Sequence, residues 1–504
     1  MASSLPDYLA AARPVAFDKR APWYKNVAQT YAGVMLWYAF WAQLAGAGGA
    51  LGGTLAQGLW PPLLAIVLGG LICHFLFYLV PGLLGMKTGL PLYVVGTSTY
   101  GARGGLYMPG FLMGLLQFGW LGVNACLVAV VLCKCLGVSV GEGGAVQVPN
   151  ALHAVIAVVF AAAAAFMGLK GIQYVARVAS FFPLIPLVIL AVLFVSTVVG
   201  LRDFSPEQVI QQGEAAKDQA AQIAVAKRAA AADPSTVPFP KPPAVPMPTY
   251  DIVLLLIGVV VGFFATAGAA GADLAMNSRN AKDVHLGGLT GIALATLFAG
   301  GLAILIVAGT YGLGKVPPSE MKTYLDPLHV MTGVVGDTAA KVMLVLLAIS
   351  AFPGGCFSAF IAANSFRTTM PKVNPLVSVG IGTLVSILLA VSGLAEKVVP
   401  FFLLIGASFG PVCGAMVADY LLSRGKWAGP RAGFNPAGWI SWAVGFAVGA
   451  LNVVFDLLQR EPPIQVPCPP VAAFAVGFVL YYVLAKAGLE SKTLDMPQLA
   501  ERKA

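Results

Sequence analysis

Gln117 and Trp120 lie three residues apart in the apolar stretch Leu116-Gln117-Phe118-Gly119-Trp120-Leu121-Gly122-Val123-Asn124. On a helix that spacing puts both side chains on one face. The Gln amide offers a donor and an acceptor, and the indole offers a flat π surface. Together they suit a small planar ring with amide edges. The same pair could instead pack a helix seam, with Gln bonding across it, and composition leaves both readings open. Two further stretches combine aromatics with small residues. One is Leu36-Trp37-Tyr38-Ala39-Phe40-Trp41-Ala42-Gln43, followed by Gly46, Gly48 and Gly49. The other is Gly262-Phe263-Phe264-Ala265-Thr266-Ala267-Gly268-Ala269-Ala270-Gly271-Ala272-Asp273. Rings offer faces for stacking, and small residues let helices approach or unwind. Close helix packing with lipid-facing rings would give the same composition.

Ionisable side chains are few. His74 lies inside an apolar segment, where a cavity or packing role competes with a proton relay. Asp273 and Asp419 stand near Arg279 and Arg424, so caps or ion pairs with those arginines are expected. The seven Cys form no CxxC pair, which reads as apolar packing rather than a metal site or a disulfide framework. No P-loop, HExxH or paired-carboxylate constellation is present. An enzyme, an ATP-driven pump and a membrane protease therefore have no support, and no catalytic residue, resident metal or cofactor is expected.

The elements that position these residues follow from composition. Of 504 residues, 58% are hydrophobic and only 10% are charged, against about 25% charged in an ordinary soluble domain. Mean hydropathy is +0.84. These values exclude a soluble enzyme, a disordered chain and a nucleic-acid binder. At roughly 20 apolar residues per spanning helix, the chain holds about twelve spans. The segments are 28–52, 59–85, 106–136, 151–170, 174–200, 251–277, 284–313, 336–366, 373–394, 397–423, 436–458 and 468–487. The net charge of +9 comes from an excess of Lys and Arg. Most of the basic residues in short loops fall on the side of the N-terminus if both termini are cytoplasmic, as the positive-inside rule requires.

The first five segments (28–200) and the next five (251–423) are of equal length. An odd number of spans in each block gives the two blocks opposite orientations, the arithmetic of an inverted repeat. The expected organisation is a cytoplasmic N-terminal segment at 1–27, a first repeat at 28–202 and an extracytoplasmic Ala/Pro-rich insertion at 203–250. A second repeat at 251–425, two further helices at 426–487 and a cytoplasmic tail at 488–504 follow. The insertion opens with Ser205-Pro206-Glu207-Gln208, a helix-start pattern, and ends in a Pro-crowded stretch from Pro234 to Pro248.

Four stretches, in order, resemble the nucleobase:cation symporter-1 family, of purine-cytosine permease type. They are Gly85-Met86-Lys87-Thr88-Gly89-Leu90, then Gln117 to Val123, then Ala267 to Asp273 with Arg279-Asn280-Ala281-Lys282, then Pro411-Val412 with Ala418-Asp419-Tyr420-Leu421-Leu422. The resemblance implies an all-α polytopic membrane protein with a leucine-transporter-like fold, a 5+5 inverted repeat plus two C-terminal helices. It also implies a flat ligand between Trp120 and Phe264. Gln117, Phe263 and Thr266 fall on polar neighbours of that ligand, and Trp41 on the aromatic that closes the pocket. Family members carry a hydroxyl where Phe263 stands. The ion-binding positions fall on carbonyls of Trp37 and Phe40 and on Ser350, Ala351, Gly354 and Gly355. Sodium-coupled members offer an Asn and a Thr pair where Ala351 and Gly354-Gly355 stand here, so the hydroxyls that a hard cation needs are missing. Ser350 or Ser358 could contribute, and Pro353-Gly354-Gly355 could break the helix and expose carbonyls. Na⁺, H⁺ and uniport all remain open.

The sequence thus reads as a permease of the cytoplasmic membrane for a small planar nitrogen heterocycle, a pyrimidine or purine base or a related compound. Its partners would be that small molecule and the lipid bilayer, with no nucleic acid and no obligate protein partner. An amino-acid or amine carrier of the same fold is the nearest alternative. A membrane sensor that binds ligand without moving it is a more distant one.

Overall fold

Ten helices among the described residues are long and apolar enough to cross a bilayer, and a shorter apolar helix joins them. The structure is a computed structural model that describes residues 5–26, 37, 40–41, 50–138, 150–171, 174–175, 181–215, 245–316, 327–396, 398–458 and 460–496. The spanning helices are α1 (Trp60–Thr88), α2 (Leu106–Cys135), α3 (Ala151–Lys170), α4 (Leu184–Arg202), α5 (Thr249–Ala269) and α6 (Ala281–Gly312). They continue with α7 (Asp337–Thr369), the shorter α8 (Pro375–Val391), α9 (Val399–Leu422), α10 (Pro436–Leu457) and α11 (Pro469–Lys486). These are the second to twelfth apolar segments of the sequence. The first, 28–52, falls largely outside the described residues, as does most of the Ala/Pro-rich stretch, of which 206–215 are helical.

The helix starts follow local chemistry. Proline occupies the first turn of α1, α8, α10 and α11, where its missing N–H leaves no bond unmade. Asn150 and Asn374 cap α3 and α8, each side-chain oxygen accepting from a backbone N–H at 2.9 Å. Three helices carry a wider π turn: Cys73–Tyr78 in α1, Leu106–Phe111 at the start of α2 and Leu289–Leu294 in α6. Such turns re-aim side chains and gather at functional positions. Two boundaries differ from the expected ones. Helix α4 begins after Pro183, and α5 stops at Ala269 before a separate short helix Gly271–Ala275. Helix α7 is interrupted at Ala351, beside Pro353-Gly354-Gly355.

The molecule is an all-α membrane protein with two five-helix repeats of opposite orientation and two further helices. Helix α2 packs on α3, α7 and α8, while α5 packs on α1 and α9, and α9 on α10 and α11. Both described terminal segments sit at one end. Val15 N donates to Gly89 O (2.9 Å), Ala21 N to Asn277 O (2.8 Å) and Arg20 Nη1 to Met86 O (2.7 Å). Ala432 N donates to Lys492 O (2.8 Å), and Ala102 N to Arg431 O (2.6 Å). Residues 5–26 therefore meet the ends of α1 and α5, and 490–496 meet the loop after α9, which itself bonds to the loop after α1.

At that end the expected pairings of two aspartates are corrected. Asp419 pairs with Arg431 at 3.0 Å, not with Arg424. Arg279 pairs with Asp283 at 3.0 Å, while Asp273 accepts the Leu92 N–H at 3.2 Å. Sequence proximity misled in both cases because the chain turns between the neighbours, and the partner arrives from another turn or loop. Burial disfavours the Arg431 charge, but Asp419, Tyr481 and Glu490 outweigh it and hold the guanidinium above its ordinary range.

Candidate functional site

Two glycines draw three helices together at the centre. A Cβ on Gly262 would stand 2.4 Å from Phe402 O, so the backbones of α5 and α9 can touch only without a side chain there. A Cβ on Gly119 would stand 2.5 Å from the Phe401 ring, so α2 closes on α9 in the same way. The result is a cluster of four rings on α2, α5 and α9. Trp120 meets Phe263 edge to face (4.9 Å, 78°) and Phe401 likewise (5.5 Å, 79°). The ring closest to parallel with its indole is Phe402 (5.0 Å, 33°). Trp120 is 8% exposed, and its Nε1 donates to Thr266 Oγ1 at 3.2 Å. A hydroxyl that accepts from the indole still has a proton and a lone pair to offer.

The remaining predicted residues fall at graded distances from this cluster. Phe264 is buried and meets Phe263 at 5.2 Å, so it reaches Trp120 through that ring rather than facing it. Gln117 is buried one turn before Trp120, with Nε2 3.4 Å from Met113 Sδ. Sulfur is a weak acceptor, so the amide keeps most of its bonding capacity. Trp41 is fully buried, meets Trp37 edge to face at 6.2 Å, and its Nε1 has no hydrogen-bond partner among the described residues.

The ion-site positions are mostly buried. Trp37 and Phe40 are buried. Ser350 Oγ donates to Leu347 O at 2.6 Å. Helix α7 does break at Ala351, but the break exposes less than expected. Ala351 O accepts from Gly354 N at 3.1 Å and from Gly355 N at 3.4 Å. Gly355 is buried against Ala164 and Phe160, and Ser358 is buried too. The side chain that faces Gly354 is Asn124 of α2, its Oδ1 3.6 Å from where a Cβ would stand. Asn124 Nδ2 donates to Trp120 O at 2.9 Å.

Phe401, Phe402 and Asn124 received no role from the sequence. Asn124 was within reach of such reasoning, because 117, 120 and 124 follow the i, i+3, i+7 pattern of one helix face. The Phe401-Phe402 doublet repeats the Phe263-Phe264 doublet, yet nothing in an apolar run says which doublet turns inward.

A polytopic helical bundle with broken helices and a buried aromatic centre is the architecture of a secondary transporter. The chain belongs to the family of permeases for cytosine/purines, uracil, thiamine and allantoin, whose model matches residues 22–477. Cytosine permease of Escherichia coli (strain K12) is 32% identical over 91 residues, and the same holds for that of Escherichia coli O157:H7. The match covers 18% of this chain and 21% of either relative, about a fifth of their length. Among solved structures, Mhp1, a nucleobase-cation-symport-1 family transporter in a closed conformation with bromovinylhydantoin bound, is similar at a TM-score of 0.62. It is 16% identical, over 97% of this chain and 98% of that one. A substrate-bound, outward-open Na⁺-coupled sialic acid symporter is similar at a TM-score of 0.56 and 12% identity, over 97% and 95% of the two chains. The last two likenesses concern the fold.

Proposed function

We propose that this permease carries a small planar nitrogen heterocycle, a pyrimidine or purine base or a close relative, by cation-coupled alternating access. The observation that carries this reading is the buried ring cluster around Trp120, with its indole N–H on Thr266. A flat ligand would stack on the indole face that Phe402 now covers, beside Phe263 and with Phe264 behind it. Thr266, Gln117 and the unpartnered Trp41 Nε1 are the groups that would read its edges. Aromatic stacking accepts any planar ring, and edge hydrogen bonds choose among rings. The cytosine permeases and the hydantoin-bound Mhp1 among the relatives favour the same substrate class. The excess of basic residues in short loops favours a cytoplasmic-membrane protein with both termini in the cytoplasm. The α7 donor set is poor for Na⁺, which prefers several oxygen ligands, and this favours a different coupling ion.

Counterflow in proteoliposomes tests the reading. Labelled cytosine, uracil, adenine, hypoxanthine and allantoin are offered in turn, with amino acids as the competing class. One heterocycle should exchange. Trp120→Ala should weaken its binding by about 1–3 kcal/mol, roughly 5- to 150-fold. Exchange of an amino acid instead, unaffected by Trp120→Ala, would remove the proposal.

A further inference from the structure

The transport cycle proposed above leaves the buried imidazole of His74 without a task. His74 is 0% exposed in the middle of α1, and neither ring nitrogen has a hydrogen-bond partner among the described residues. It sits in the π turn Cys73–Tyr78 and is pressed against the backbone of α6. A Cβ on Gly288 would stand 2.4 Å from His74 Nδ1, so only glycine leaves room for the imidazole. One turn earlier on α6 stands His285, half-buried, with ring centres 5.6 Å apart. The chain has four histidines, and two of them meet in this seam.

We infer that the His74–His285 pair is the binding site of the coupling cation, and that the cation is a proton. This rests on the functional reading above and names its coupling ion. An orphaned buried imidazole costs free energy unless it acquires a partner at some stage. A proton taken onto a ring nitrogen lone pair supplies a donor and a charge that the neighbouring imidazole accepts. A second proton is repelled by the first, so the pair holds one.

The surroundings leave the pair to itself. On α1 its titratable neighbours are Cys73 and Tyr78, the latter stacked on His74 at 6.1 Å. On α6 they are Lys282 and Asp283, and Asp283 is engaged by Arg279 and by Trp23 N. Helix α5 carries no ionisable side chain from Ile252 to Ala269. The short helix after it carries Asp273, which accepts from Leu92 N. Helix α9 carries Cys413 and, at its end, Asp419 and Tyr420, held by Arg431 and Lys87. Helix α11 carries Tyr481, which donates to Glu490. Among the described residues no salt bridge reaches either histidine. The seam joins a helix of the first repeat to one of the second. His285 lies near the start of α6, at the end where Trp23 meets Asp283. It is therefore the exit through which the proton returns to water on the N-terminal side.

The test uses the full chain in sodium-free proteoliposomes, with the base identified by counterflow and a pH dye trapped inside. With an outside one pH unit more acidic, base should accumulate about tenfold, and adding base should acidify the interior. His285→Gln and His74→Gln should each abolish accumulation while lowering base-for-base exchange far less. Should His74→Gln fail to fold, His285→Gln and the wild-type dye signal decide alone. The inference is overturned if wild type exchanges base without acidification, if His285→Gln accumulates like wild type, or if accumulation and exchange fall together in both variants. A wild type that exchanges no heterocycle would instead sink the functional reading itself.

Discussion

Trp120 is held by three rings and one hydrogen bond, all supplied by two other helices, α5 and α9. Phe263 and Phe401 fix its edges, Thr266 fixes its N–H, and Phe402 lies over its face. A planar ligand that stacks on this indole must displace Phe402. An aromatic pair contributes about 0.5–1.5 kcal/mol beyond its buried area. Phe402→Ala should therefore tighten base binding by about 2- to 12-fold in a tryptophan-fluorescence titration in detergent. Weaker binding would mean that Phe402 is a wall of the bound-state pocket rather than its occupant in the empty state. Gln117 and Trp120 were legible as one face of a helix from their spacing. Phe402 was not, because its role depends on a helix nearly three hundred residues away.

The helices themselves hold the site only because they approach closely. At Gly262 the α5 and α9 backbones are in contact. Gly262→Ala would force them apart, and overpacking of this kind costs about 1–3 kcal/mol. The expected result is a lower unfolding midpoint in micelles and loss of base-induced stabilisation. Gly258, one turn earlier, is the control. A Cβ there meets Leu403 Cδ2 at an ordinary 3.5 Å, so Gly258→Ala should leave the midpoint nearly unchanged. The interruption of α7 shows the limit of reading such features from residue type. Pro353-Gly354-Gly355 did announce a break, but the Ala351 carbonyl that it seemed to free is taken up by the N–H groups of Gly354 and Gly355. Local backbone bonding settled what the motif left open.

One end of the molecule is closed by a buried network that joins the loops after α1 and α9 to the C-terminal segment. Arg431 donates to Asp419, to Glu490 and to Ser98 O, while Ser98 and Thr99 hydroxyls also donate to Asp419. Arg431→Met should destabilise by about 3–5 kcal/mol, because it strands a buried carboxylate. Adding Asp419→Asn should recover part of the loss, measured by thermal unfolding in detergent. Equal midpoints for Arg431→Met and wild type would show that water reaches Asp419 and replaces the arginine. Residue order alone had paired Asp419 with Arg424. The eleven described helices were recoverable from hydropathy because a bilayer demands about twenty apolar residues in a row whatever their neighbours. The doubled five-helix pattern came from the same count. Which rings turn inward, which carbonyls stay bonded and which charges meet were decided by three-dimensional packing. In a chain that is apolar nearly throughout, the inner and lipid faces of a helix look alike until neighbouring helices touch one of them.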